Sequence, residues 1–75
     1  MPAHVEAPFQ GFVTPLVRVG DRVEIGDPVA MIEAMKMEAA ITAPRSGTIV
    51  RVVVDGTESV AGGDLVVVLE PAVRG

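Results

Sequence analysis

The sequence predicts an all-β domain made of two copies of one unit of about four short strands, packed into a flattened eight-stranded barrel or sandwich. Three observations carry that reading. Valine is the commonest of the 75 residues, and glycine or proline interrupts the chain every eight to ten positions. β-Branched residues between such breaks are the composition of short strands. No stretch keeps apolar residues at spacings of three and four long enough for a helix. The chain also repeats itself: Ala7-Pro8-x-x-Gly11 returns as Ala43-Pro44-x-x-Gly47, Gly20 as Gly56, and Gly26-Asp27-x-Val29 as Gly63-Asp64-x-Val66, with Glu33 matching Glu70. The offset is 36 residues at first and 37 afterwards, which puts one inserted residue near Thr57 to Ser59. Each copy is too small to bury its own apolar face, so an approximate two-fold around a shared core is expected.

In chain order, Val5–Ala7 is a short run ended by Pro8. Phe12–Val17 follows and contains Pro15, which lacks a ladder donor and must face an edge or a bulge. Arg22–Glu24 lies between the turns Gly20-Asp21 and Gly26-Asp27-Pro28. The next segment is contested, because Ala30–Ala40 holds Ala, Met, Glu and Lys, and propensity alone makes it a helix. The repeat decides otherwise. Val29–Glu33 aligns with Val66–Glu70, where Leu65-Val66-Val67-Val68-Leu69 is a plain strand. Val29–Ala34 and Glu38–Thr42 are therefore strands, and residues 34–37 form a hairpin tip at the joint between the copies. After the turn Pro44-Arg45-Ser46-Gly47 comes Thr48–Val54, whose in-out parity stays open at Val52 to Val54 because one bulge inverts it. Ser59–Val60 lies between the turns Asp55-Gly56 and Gly62-Gly63-Asp64, and Leu65–Leu69 closes the fold. The domain is expected over residues 4–70, with 1–3 and 71–75 as terminal extensions.

Composition excludes several functions. At ~0.1 kcal/mol per residue such a chain folds with a stability on the order of 5 to 8 kcal/mol, little margin for a strained active site, so an independent enzyme is not expected. The net charge is −4, and Arg18, Arg22, Lys36, Arg45, Arg51 and Arg74 are scattered, which makes nucleic acid and anionic membrane poor partners. The longest apolar stretch falls far short of the twenty or so residues of a membrane span. The N-terminus resembles neither a secretory signal nor a transit peptide, and a cytoplasmic location is expected. With no Cys and His4 as the one histidine, a metal site is not expected, and His4 is read as a frayed terminal residue. Ser46 and Ser59 have no plausible His partner for a triad. Gly62-Gly63 is followed by no Lys-Ser/Thr pair that would make a phosphate loop.

The chemistry concentrates at the joint, Glu33-Ala34-Met35-Lys36-Met37-Glu38, where Lys36 is the chain's one lysine. An amine at a hairpin tip stands in solvent, which suits a site offered to another enzyme better than a catalytic base. The plain alternative is a β-barrel interaction module on which Lys36 is an unmodified, solvated turn residue, with Met35 and Met37 filling gaps. Against it stand the absence of any other lysine and the position on the symmetry joint. Glu38 is read as an ordinary solvated charge.

Glu33-Ala34-Met35-Lys36-Met37 resembles, residue for residue, the biotinylation motif of the biotinyl/lipoyl carrier domains, and among them the biotin carboxyl carrier domains. The Gly-Asp turns, Pro44 and Gly47 are similar to that family's scaffold, and the resemblance spans about His4 to Leu69. It implies a barrel-sandwich hybrid fold. It also implies that a biotin protein ligase joins the carboxylate of biotin, activated as an adenylate, to the Lys36 amine, with Glu33, Ala34, Met35 and Met37 as recognition residues. The biotin then carries carboxyl from an ATP- and bicarbonate-using biotin carboxylase site to a carboxyltransferase site, the domain itself being non-catalytic. In this family methionine on both sides of the lysine goes with biotin, whereas lipoyl carriers usually have Asp before and Ala after it. A lipoyl carrier is thus the lesser alternative. His4-Val5-Glu6-Ala7-Pro8-Phe9 and Glu58 to Val68 resemble the C-terminal carrier domain of bacterial, especially actinobacterial, pyruvate carboxylases. Carriers of acetyl- or propionyl-CoA carboxylases are the runner-up, although the chain shows no protruding thumb of the kind inserted in some of them.

Overall fold

Inward valines alternating with outward polar residues give eight strands and no helix in the computed structural model, which describes residues 1–73. The strands are β1 (Ala3–Glu6), β2 (Gly11–Pro15), β3 (Arg22–Val23), β4 (Pro28–Ala34), β5 (Met37–Thr42), β6 (Gly47–Val52), β7 (Glu58–Val60) and β8 (Leu65–Pro71). The contested Ala30–Ala40 segment is strand, tip and strand, so tertiary pairing overrides its helix propensity. β1 begins at Ala3 and β8 ends at Pro71, one residue beyond each expected domain boundary; Arg74 and Gly75 of the expected tail lie outside the described residues. His4 is not a frayed end: β1 holds it opposite Val68. Ser59 likewise lies within a strand, and Ser46 is structural, its Oγ accepting from Ile25 N–H at 3.0 Å and donating to Glu24 Oε1 at 3.2 Å.

The strands form two antiparallel sheets, ordered β1-β8-β6-β3 and β5-β4-β2-β7. Exchanging β1 with β5, β2 with β6, β3 with β7 and β4 with β8 turns one order into the other, the two-fold expected from the repeat. The equivalence reaches single bonds. Asp27 Oδ2 accepts from Glu24 N–H and Asp64 Oδ2 from Ala61 N–H, both at 2.8 Å. Gly26 N–H donates to Ala43 C=O as Gly63 N–H does to Ala7 C=O, both at 2.8 Å. Val29 in the β4–β5 ladder and Val66 in the β1–β8 ladder are each skipped as bulged residues.

The inserted residue is Val50, not one near Thr57 to Ser59. In the β6–β8 ladder Ile49 pairs with Leu69 and Arg51 with Val68, leaving Val50 as an exposed bulge, whereas β2–β4 runs without a break. From there the offset is already 37: Arg18 N–H donates to Asp21 Oδ2, and its counterpart Asp55 N–H to Glu58 Oε2. Gly20 and Gly56 repeat a turn signal but not a register position, which is why aligning them misplaced the insertion. The bulge also settles the open parity, with Val53 exposed and Val54 buried. Pro15 meets its condition as well. Leu16 N–H donates to Val29 C=O on the β4 side, so the missing donor of Pro15 faces the β7 side, where pairing has stopped at Val13.

Between the sheets lie Ile32, Ile49, Leu69, Val13, Val29, Val66 and Val67, all fully buried, and no polar side chain is buried among the described residues. Each such aliphatic side chain contributes roughly 1.5–3 kcal/mol. With no cysteine in the chain to form a disulfide, this core positions the β4–β5 hairpin.

Candidate functional site

β4 and β5 pair up to Glu33↔Glu38 and Ala34↔Met37, so the tip consists of Met35 and Lys36 alone. Two-residue hairpins favour positive φ because that turn matches the twist of the strands, and Met35 has φ 57°, the one non-glycine with positive φ among the described residues. A side chain in the left-handed region costs roughly 1 kcal/mol relative to glycine. Holding a methionine there needs the ladder on both sides, and backbone strain of this kind concentrates where a particular side chain is wanted.

Lys36 is exposed at the apex. Met35 is 99% and Met37 56% exposed, so neither fills a gap in the core. Ala34 is half-buried at the last rung. Glu33 lies one rung back, directly opposite Glu38, both exposed. Two like charges face to face weaken a hairpin by a few tenths of a kcal/mol and project a local negative patch. The structure therefore gathers Glu33, Ala34, Met35, Lys36 and Met37 at one end of the β4–β5 hairpin, the last two rungs and the turn they carry.

Phe12, Gly11 and Gln10 are not among the site residues expected from the sequence, where Gly11 stands only as a mark of the repeat. Phe12 is 55% exposed and pairs with Glu33 on the outer face. With Gln10, Gly11, Ala34 and Met35 it lines an open cleft of about 370 Å³ beside the tip. A signal was available: Phe12 aligns with Thr48, an aromatic ring where the other copy has a small polar residue at an outward position.

Among the described residues no three His, Cys, Asp or Glu side chains converge as a metal site, and no helix is long and apolar enough to cross a membrane. What the tip can do is offer one primary amine, free of steric cover, to a carboxyl group activated elsewhere. An amide link to biotin needs such an amine, and Lys36 supplies the only side-chain one in the chain. The apolar flanks leave it open, so the residues present fit the group.

A family model described as biotin-requiring enzyme matches residues 1–69. The pyruvate carboxylase of Staphylococcus aureus (strain Mu50) is 42% identical over 72 residues, covering 95% of this chain and 6% of that protein. Among solved structures, a single-chain, multi-domain long-chain acyl-CoA carboxylase superposes with TM-score 0.88 at 29% identity, over 97% of this chain and 7% of that one. The urea carboxylase of Kluyveromyces lactis superposes with TM-score 0.86 at 35% identity, over 93% of this chain and 6% of that one. The chain thus spans only a small part of the length of each.

Proposed function

The chain belongs to the family of biotin-requiring enzymes and is a biotin carboxyl carrier domain, and on that premise we propose that Lys36 is the residue that takes the biotin. One observation carries the assignment: the single lysine stands exposed at the apex of the two-residue hairpin on the symmetry joint. The partner that modifies it is a biotin protein ligase, which reads Glu33, Ala34, Met35 and Met37 around the amine. Amide formation removes the positive charge of Lys36. When bound, biotin supplies a ureido nitrogen that takes up a carboxyl group at one site and surrenders it at another. The chain's own contribution is presentation. The two sheets form a rigid platform, the tip holds the amine clear of both, and tethering gives a local concentration of ~mM at the sites the arm serves.

The carrier unit spans the eight strands, from Ala3 to Pro71, and its working setting is a biotin-dependent carboxylase complex with biotin carboxylase and carboxyltransferase domains, in the cytoplasm. Pyruvate carboxylase is the favoured parent, supported by the identity to the Staphylococcus aureus protein. The structural likeness to a long-chain acyl-CoA carboxylase supports the alternative of an acyl-CoA acceptor. A lipoyl carrier is disfavoured by methionine on both sides of Lys36.

Intact-mass measurement after co-expression with a ligase and biotin tests the assignment. The expected result is one biotin increment, lost completely in Lys36→Arg with folding unchanged because the side chain is exposed. A lipoyl increment, or biotin retained by the variant, rejects it. The acceptor is tested by mixing the biotinylated domain with separated carboxylase and carboxyltransferase domains. Pyruvate should be carboxylated faster than acetyl- or propionyl-CoA, at a rate proportional to domain concentration because the tether is gone. Turnover confined to acyl-CoA moves the chain to the alternative parent.

A further inference from the structure

The two copies part company at the tip. In the second copy the β6–β8 ladder runs through Thr48↔Glu70 and Gly47↔Pro71, and Ala72 N–H then donates to Ser46 C=O at 2.8 Å. In the first copy the β2–β4 ladder ends at Phe12↔Glu33. The groups equivalent to the last bond are Met35 N–H and Gln10 C=O, and among the described residues neither has a protein partner. Met35, turned by its positive φ, is exposed where Ala72 is half-buried. The rung that is missing is the place where the cleft opens, lined by Gln10, Gly11, Phe12, Glu33, Ala34 and Met35.

A missing antiparallel rung leaves one donor and one acceptor side by side, and a cyclic urea carries the complementary pair, a carbonyl next to an N–H. The walls beside that rung are the Phe12 ring and the Met35 thioether, both apolar and both largely exposed. Sulfur packs favourably against an aromatic ring, and the flexible Met35 side chain adapts to an apolar neighbour. Met35 adjoins Lys36 in the chain, so a flexible tether on Lys36 folds back to the cleft without spanning any distance across the domain.

We propose that the cleft is a resting site for the bicyclic ring of biotin held on Lys36. Met35 N–H donates to the ureido oxygen, Gln10 C=O accepts from a ureido N–H, and the sulfur ring lies against Phe12 and Met35. This rests on Lys36 being the attachment residue. Docked there, the ureido edge is engaged by the two backbone groups; undocked, it is free to enter a partner's site. No bond is made or broken in the exchange between the two positions.

Nuclear magnetic resonance on the isotope-labelled domain tests it, with biotinylation first verified by mass and a Lys36-acetylated domain as the control for loss of charge. The expected result is amide shifts at Met35, Gly11 and Phe12 beyond those of the acetylated domain, with nuclear Overhauser contacts from biotin ring protons to the Phe12 ring and Gly11 Hα. In Phe12→Ala, which removes an exposed ring and leaves the core intact, biotin attachment persists and the contacts to Gly11 are lost. A biotinylated domain whose shifts equal those of the acetylated one overturns the resting site, as does survival of the Gly11 contacts in Phe12→Ala. A domain that gains no biotin mass overturns the Lys36 assignment, and the resting site with it.

Discussion

Met35 is the residue where folding and function pull apart. Its φ of 57° is a glycine's conformation, yet a fully exposed methionine occupies it and gains no packing in return. Met35→Gly removes the strain, about 1 kcal/mol, while the unfolded chain gains freedom worth roughly 0.5–1 kcal/mol, so stability should stay level or rise by about half a kcal/mol at most. Biotin attachment should nevertheless slow, because the side chain next to the amine is gone. Urea unfolding and a ligase progress curve read the two effects separately. A loss of stability with attachment unaltered would show the methionine to be a packing residue. The lysine and its flanks were legible in the sequence because the motif is local. The strain beneath them was not, since methionine carries no sequence sign of a positive φ.

Gly11 and Gly47 occupy equivalent places where one strand crosses close to the end of another. A Cβ on Gly11 would stand 2.5 Å from Glu33 O and 3.2 Å from Ala34 Cβ, and one on Gly47 would collide with Glu70 O and stand 2.7 Å from Leu69 Cδ1. The sequence showed both glycines as repeat marks, and the ladder supplies the reason. The consequences differ. Gly47 is buried, with Leu69 fixed in the core behind it, whereas Gly11 is half-buried beside the open end of the β2–β4 ladder, where the tip has room to yield. Gly47→Ala should therefore destabilise by about 2–3 kcal/mol and Gly11→Ala by about 1 kcal/mol, in the range of overpacking substitutions. Equal losses in denaturant titrations would mean that the two ends are equally rigid. Strand number, order of elements and hairpin tip were readable from the repeat. The bulge at Val50 was not, because a valine in a bulge and a valine in a ladder are the same letter, and only pairing partners distinguish them.

The two copies are interleaved rather than stacked. Apart from the two central ladders, β2–β4 and β6–β8, every ladder joins strands of different copies: β1 to β8, β3 to β6, β4 to β5 and β2 to β7. The core is shared in the same way, Val13, Val29 and Ile32 coming from one copy and Ile49, Val66, Val67 and Leu69 from the other. Neither half therefore owns a sheet or a core, as expected of copies too small to bury their own apolar faces. Chains below about 40 residues rarely fold without a disulfide or a metal, and this sequence has no cysteine. A chain cut at the tip tests the consequence. The fragment of residues 1–36 and the fragment of residues 37–75 should each lack a cooperative melting transition and strand circular dichroism. Mixed at high concentration they should recover both, because every missing ladder partner is then supplied. The recovered complex should also melt at a temperature that rises with concentration, since its folding is bimolecular. Cooperative melting of either fragment alone would show a copy that folds by itself, and the interleaving would then be a feature of assembly rather than the condition for folding.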